Sequence, residues 1–419
     1  MKILISSFGT RGDVQPYLAL AAGLQRAGHQ VTLATSATFS EWIHSYGVKT
    51  RPTRFNLQEV MQQPEVQVVL RGKNLLRQFR LMRDVMRQTS EIPEVVWPAA
   101  QDADLIIQSP TGVAALESAL IRGIPATIAI PVPFAPTRSF PSFFWGALRL
   151  KWGGHYNFLT HRLMHFALWH GMGTRLTNPL RKKLGLPTLR SYADFFAESR
   201  RLGVPWLYGF SEHVLPKPGE WGEDQHITGY WFLDAPPDWQ APVDLLRFLE
   251  NGPSPIYVGF GSMSHGDVVH HTQLALRALD LSGQRAVLLT GWGGMTRQSA
   301  PSNVYFVENV PHDWLFPRMA AVVHHGGAGT TGAGLRAGVP SLIAPFAPND
   351  QSAWADRVEN LGVGVHLPGI KRLTAERLAD AIQTAVSDST MRARAAALGK
   401  KIRAENGVAQ AIEIIERQK

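Results

Sequence analysis

A two-part α/β protein, each part a parallel sheet wrapped by helices, is predicted by three observations. Strand and helix patterns alternate along the chain, one strand–loop–helix–strand plan recurs, and a proline-rich stretch separates the copies. The first copy is residues 2 to 35. Lys2-Ile3-Leu4-Ile5 reads as a strand, a glycine loop follows, and Leu18, Ala21, Ala22 and Leu24 supply the apolar face of a helix. Gly28 ends that helix, and Val31-Thr32-Leu33-Ala34 is the next strand, which completes a βαβ unit. Residues 256 to 290 repeat the plan. There "IYVGFGSM" is strand and loop, "HHTQLALRALDLSG" is helix and "RAVLLTG" is strand.

A second pair of segments is more alike. "ADLIIQSPTGVAALESALIRGIPATIAIP" (103–131) and "MAAVVHHGGAGTTGAGLRAGVPSLIAPF" (319–346) both run strand, loop, small-residue helix, Gly-[Ile/Val]-Pro, apolar strand. "LDAPPDWQAPVD" (233–244) is rich in proline and has no periodicity, so we place the linker there, at 236–243. The expected parts are an N-terminal domain over 1–235, a C-terminal domain over 244–400, and a helix over 401–419 that could return to the first domain.

Bulk composition narrows the class. The 419 residues exceed one hydrophobic core and suit two. With no cysteine, disulfides and thiolate metal sites are excluded and the redox compartment stays open. "MKILISSFGT" is too short and wrongly flanked for a signal peptide, and no apolar run reaches the ~18 residues of a membrane span. A cytoplasmic protein is the default expectation. The net charge of +9 favours acidic partners such as nucleotides or anionic headgroups. The cations are spread out and no nucleic-acid module is present, so no nucleic-acid partner is expected.

The two closely related loops differ in chemistry. The N-terminal one reads Gln108-Ser109-Pro110-Thr111. The C-terminal one reads His324-His325-Gly326-Gly327-Ala328-Gly329-Thr330-Thr331, and glycines there let free N–H groups at a helix start face an anion. Gly327 to Gly332 also matches G-x-G-x-x-G, with Asp350 downstream as a ribose-binding acid, so a nicotinamide oxidoreductase is a rival reading. Against it, the motif lies in a later crossover, and Asp350 lies beyond the strand end. A glycine loop that serves only close packing is the plainer alternative. Two histidines at the lip weaken that alternative, because an imidazole can donate to a phosphate oxygen.

"PHDWLFPRMAAVVHHGGAGTTGAGLRAGVP", followed by "NDQSAWADRVENLGVGV", resembles the donor-binding signature of family 1 glycosyltransferases. The resemblance is to the sterol-glucosyltransferase-like branch, which includes bacterial antibiotic glycosyltransferases. "GTRGDVQPYLALAAGL" is similar to that branch's opening loop, whereas residues 50 to 230 carry no such match. The resemblance implies a GT-B fold, two Rossmann-like domains facing across a cleft. It implies a nucleotide-sugar donor, UDP-glucose or a TDP-sugar, an apolar hydroxylated small-molecule acceptor, no cofactor and no metal.

It also implies residue roles. His324 would contact the diphosphate, with the backbone of Gly326, Gly327, Ala328, Gly329 and Thr330 cradling it. Asp350-Gln351 would bond the sugar hydroxyls, although Asp350 read alone is also a helix cap. Gly12 and Ser262 would reach the donor from the first loops of the two halves, and Val310 and His312 would grip the base. Asp13 would be the catalytic base, because an acceptor hydroxyl must lose a proton as it attacks the anomeric carbon. Its alternative is an N-cap for the following helix, with Pro16 in the first turn. Arg11 would either orient Asp13 or touch phosphate. His325 is read as packing and Trp314 as core.

The aromatic stretch at 140–173 could wall an acceptor pocket, with Phe134, Phe140, Phe144 and Trp145 the candidate residues; part of it must be core. Residues 73 to 87 place Leu75, Phe79, Met82 and Met86 on one face. That face could rest on an anionic membrane, and an ordinary surface helix is the plainer reading. Asp102-Ala103-Asp104 reads as a solvated turn at the wrong end of a strand. His161 and His165 lack a third ligand and read as a structural pair. The expectation is an inverting, metal-independent hexosyltransferase. The alternatives are an NAD(P)-dependent oxidoreductase, a non-catalytic nucleotide-sugar binder, and, more weakly, a sugar-nucleotide epimerase.

Overall fold

A computed structural model describes residues 1–54, 56, 59–60, 63, 92–110, 114–145, 152–236, 238–261, 268–290, 296, 301–346 and 349–418. The amphipathic segment 73–87, Thr111 and Ser262 lie outside these residues. Among the described residues the strands form two all-parallel sheets. The first holds β1 (Lys2–Ser6), β2 (Gln30–Ser36), β3 (Lys49–Thr53), β4 (Leu105–Gln108), β5 (Ala126–Ile130), β6 (Trp206–Tyr208) and β7 (Gln225–Ile227), in the order β3-β2-β1-β4-β5-β6-β7. The second holds β8 (Ile256–Gly259), β9 (Ala286–Leu289), β10 (Val304–Val307), β11 (Ala321–His324), β12 (Ser341–Ile343) and β13 (Gly364–His366), in the order β10-β9-β8-β11-β12-β13. This is the doubly wound pair of domains expected of a GT-B fold.

The strands are short apolar runs because both faces of each sheet are covered. In the first sheet Ile3, Ile5, Leu33 and Ile107 are buried against Leu18, Leu20 and Leu24 of the helix Arg11–Arg26. Leu4, Ile106, Ile128 and Ile130 face the opposite core. In the second sheet Ile256, Val258, Leu288 and Val323 pack with Leu274, Leu279, Leu378 and Ile382 of two helices, Val268–Ser282 and Ala375–Ser387. Each fully buried Leu or Ile stabilises by roughly 1.5–3 kcal/mol, so these layers dominate the fold.

Two boundaries differ from the sequence reading. The helix after β1 begins at Arg11 with Thr10 as N-cap, which puts Asp13 at its third position and Pro16 inside it. Residues 401–404 belong to the helix Ser389–Ala404, and the chain crosses between domains at Glu405-Asn406. The last helix, Gly407–Glu416, lies on the N-terminal domain. Ala411 and Ile415 join the core with Leu18 and Leu24, Val408 and Ile412 meet Gly23, and Glu416 reaches His29 at 2.9 Å. No helix among the described residues is long and apolar enough to cross a membrane.

Candidate active site

In each sheet the strand order reverses once, between β1 and β4 and between β8 and β11. Loops leaving the C-terminal ends of strands at such a switch point open a crevice where ligands bind. Asp13 follows β1, and His324 is the last residue of β11. The two crevices meet. The helix Arg11–Arg26 touches the glycine-loop helix Ala328–Ala337, and the charge of Arg11 is felt at His312.

The Asp13 carboxylate is held locally. Its Oδ2 accepts the Thr10 backbone N–H at 2.7 Å and the Thr10 hydroxyl at 2.8 Å. Thr10 and Asp13 thus stand in the S/T-x-x-acid spacing of a capping box. Gly9 has φ +143°, and a Cβ there would run into the carboxylate, so only glycine lets the loop pass this close. Asp13 is exposed at its surface yet ringed by protein. That surround raises its carboxyl above the usual aspartate value, and the two bonds from Thr10 act in the opposite direction. Arg11 lies over the Trp42 ring, 4.7 Å from its centroid.

His324 is completely buried. Its Nδ1 accepts the Gly326 N–H at 3.1 Å, which fixes the neutral tautomer with the proton on Nε2. That Nε2–H meets no hydrogen-bond partner among the described residues. An orphaned buried donor costs about 1–3 kcal/mol, and such a group calls for a ligand or functional explanation. Burial, and after it the neighbouring His325 and His312, hold the His324 pKa well below the ordinary imidazole value, so the ring stays a neutral donor. Directly after it, the helix Ala328–Ala337 starts at Gly327 with no side-chain cap, and Gly329 is exposed with open space around it. Its first N–H groups and the helix dipole are available to an anion.

The remaining candidate residues of the C-terminal half divide by burial. His325 is wedged between the backbones of Gly261 and Gly327 and beside Phe346, and burial pushes its pKa down to about 4. His312 stacks on Phe316 at 4.2 Å, and its pKa is likewise about 4. Val310 is buried in the core with Leu315 and Phe316. Trp314 packs against that core, edge-on to Trp239 and under the Arg318 guanidinium. Asp350 is half-buried and is the first residue of the helix Asp350–Asn360; the cap is Asn349, whose side chain accepts the Gln351 N–H at 3.1 Å. Gln351 is turned inward, 4% exposed, with Oε1 accepting the Phe346 N–H at 2.9 Å. A dinucleotide site would need its acid at the end of β12. Ala344 stands there instead, which removes the main support for the oxidoreductase reading.

The aromatic stretch is more core than wall. Phe134 is buried among Phe144, Tyr192, Phe196 and Trp206, which excludes it as an open pocket surface. Phe140, Phe144 and Trp145 are partly exposed. His161 and His165 bond the carbonyls of Phe140 and Phe134, each at 3.1 Å, and so fasten this stretch to a helix. Phe143 meets Trp354 of the C-terminal domain edge-on at 4.8 Å. Asp104 accepts the Lys2 N–H at 2.7 Å, at the strand ends remote from the crevice. Sequence reasoning overlooked Gly9 and Thr10, although the spacing of Thr10 and Asp13 was a usable signal.

The glycosyltransferase family 28 N-terminal domain model matches residues 3–121, and the erythromycin biosynthesis protein CIII-like C-terminal domain model matches residues 289–416. A sterol 3-beta-glucosyltransferase of Debaryomyces hansenii is 34% identical over 426 residues, 98% of this chain and 26% of that protein. The Yarrowia lipolytica sterol 3-beta-glucosyltransferase is 36% identical over 100% of this chain and 29% of its own length. The chain therefore spans between a quarter and a third of the curated relatives it matches. Among solved structures, the glycosyltransferase of kitacinnamycin superposes with a TM-score of 0.73 at 20% identity, covering 100% of this chain and 98% of that one. The calicheamicin glycosyltransferase CalG4 superposes with a TM-score of 0.70 at 19% identity over the same shares.

Proposed function

The chain belongs to the sterol 3-beta-glucosyltransferase-like GT-B glycosyltransferases, and from that membership we propose that it transfers glucose from UDP-glucose to a hydroxyl of an apolar acceptor of the sterol, polyketide or flavonoid kind. Transfer would proceed with inversion and without a metal ion. The acceptor oxygen attacks the anomeric carbon while Asp13 takes its proton. The bond from that carbon to the diphosphate oxygen breaks on the opposite side, and the charge left on the diphosphate meets the His324 Nε2–H and the uncapped helix at Ala328. A neutral imidazole suits this role, since it donates without needing to be protonated.

What supports the reading most is His324, a completely buried ring with one nitrogen engaged and the other N–H unpaired among the described residues. Asp350 would hold sugar hydroxyls. Gln351 would act through the loop whose backbone it bonds, the Val310 backbone would meet the base, and the partly exposed Phe140, Phe144 and Trp145 would border the acceptor. The test is UDP release from UDP-glucose with and without a panel of sterols, flavonoids and macrolides, in buffer containing EDTA, with the product's anomeric configuration read by NMR. Acceptor-dependent release of an inverted glucoside is expected. UDP binding without release by any acceptor would count for a non-catalytic binder, and EDTA-sensitive turnover would remove the metal-independent mechanism.

A further inference from the structure

The helix Gly154–Leu168 turns its polar side inward and its apolar side out. Thr160, His161 and His165 are buried, whereas Leu159, Leu163 and Phe166 are 50%, 43% and 63% exposed, at i, i+4 and i+7 on one face. Trp152, just before the helix, is 73% exposed. Such a row of exposed apolar side chains needs an occupant.

We propose that this face docks on an anionic lipid bilayer. The argument is one of charge. Between Glu117 and Asp194 the sequence holds no aspartate or glutamate. Exposed Arg162 lies among the apolar residues, exposed Arg138 packs at the helix start beside Gly154, and exposed Lys182 and Lys183 lie on the continuation of the helix beyond residue 168. Glu220, which accepts the Arg138 N–H at 3.0 Å, borders the helix start, but the cations Arg138, Arg162, Lys182 and Lys183 outnumber it. An apolar strip with such a basic rim matches the bilayer interface, where Leu, Phe and Trp enter the acyl boundary and Arg and Lys meet phosphate headgroups. The inner side of this helix carries the two histidines that hold the aromatic stretch, so docking would set that stretch beside the membrane. The inference does not depend on the donor chemistry.

The test is co-sedimentation of the full chain with phosphatidylcholine vesicles, with and without about 30 mol% phosphatidylglycerol, at low and physiological salt. The wild-type chain is expected to sediment with the anionic vesicles, and less so as salt rises. The double variant Leu163→Glu/Phe166→Glu is expected to bind them about tenfold more weakly, with unchanged melting temperature and UDP affinity. Arg162→Glu should lose affinity for anionic vesicles and leave neutral ones unaffected. Equal sedimentation of the double variant, or no sedimentation of the wild type at low salt, would overturn the proposal. So would a wild-type dimer that the double variant breaks, since a second copy would then cover the face.

Discussion

Asp13 and His324 are tuned in opposite directions by the same cause. Being surrounded by protein raises a carboxyl and lowers an imidazole, which suits the proposed roles of Asp13 as base and His324 as neutral donor. Removing the donor, His324→Ala, is expected to cost about 2–4 kcal/mol in the transfer barrier. An effect on kcat/KM of tenfold or less would refute the diphosphate role. Thr10→Val deletes one bond to the ionised Asp13 and keeps the backbone one. Losing a bond to the charged form raises the carboxyl's pKa, so the acid limb of the kcat/KM profile should move to higher pH. An unmoved limb would mean that Asp13 is not the titrating base.

At the level of elements, the loops depend on close backbone approach. Gly326 has φ +93°, and a Cβ there would lie 2.7 Å from the Ile343 side chain and 2.8 Å from the Gln351 carbonyl oxygen. Gly326→Ala should therefore cost roughly 1–3 kcal/mol in denaturant unfolding and weaken UDP binding, because the phosphate loop must shift. The helix pair Asn178–Lys183 and Tyr192–Arg201 is tied by a different device. Buried Arg181 donates to both Glu198 oxygens at 2.9 and 2.8 Å and to the Pro187 carbonyl at 2.7 Å. Arg181→Ala should destabilise by about 3–5 kcal/mol, since it strands the buried carboxylate of Glu117, 3.7 Å from the guanidinium.

Strand runs and the glycine loop were legible in the sequence because they are local patterns. The burial of Phe134 and the inward turn of Gln351 were not, because each is decided by residues far along the chain: Trp206 for the one, packing of its helix for the other. Asp13 falls between these cases. Its loop was recognisable, yet its position in the helix follows from Thr10 rather than from its own residue type.

The whole molecule should lose stability in mild acid. Burial holds His161 and His165 at about 4 in the folded state, below the ordinary value of 6.5. The unfolded chain then binds more protons between those values, so stability is full above pH ~6.5 and falls as the pH drops towards ~4. The loss approaches roughly 1.4 kcal/mol per pH unit for each fully differential histidine. Denaturant midpoints at pH 7 and pH 5 measure it, and His165→Asn should flatten the dependence; an unchanged slope would place the acid sensitivity elsewhere. The two domains are joined twice, by the proline-rich linker and at Glu405, which accepts the Ser211 hydroxyl at 2.7 Å before the last helix returns. Both halves of the crevice are therefore held by one connected frame.

The central claim is that this frame sets a carboxylate base opposite a diphosphate site. Its most direct test is Asp13→Asn, with acceptor-dependent transfer and UDP affinity measured on the same preparation. A loss of transfer of about 10²-fold or more with nearly unchanged UDP affinity is the predicted result. A parallel loss of both, or full transfer, would contradict it.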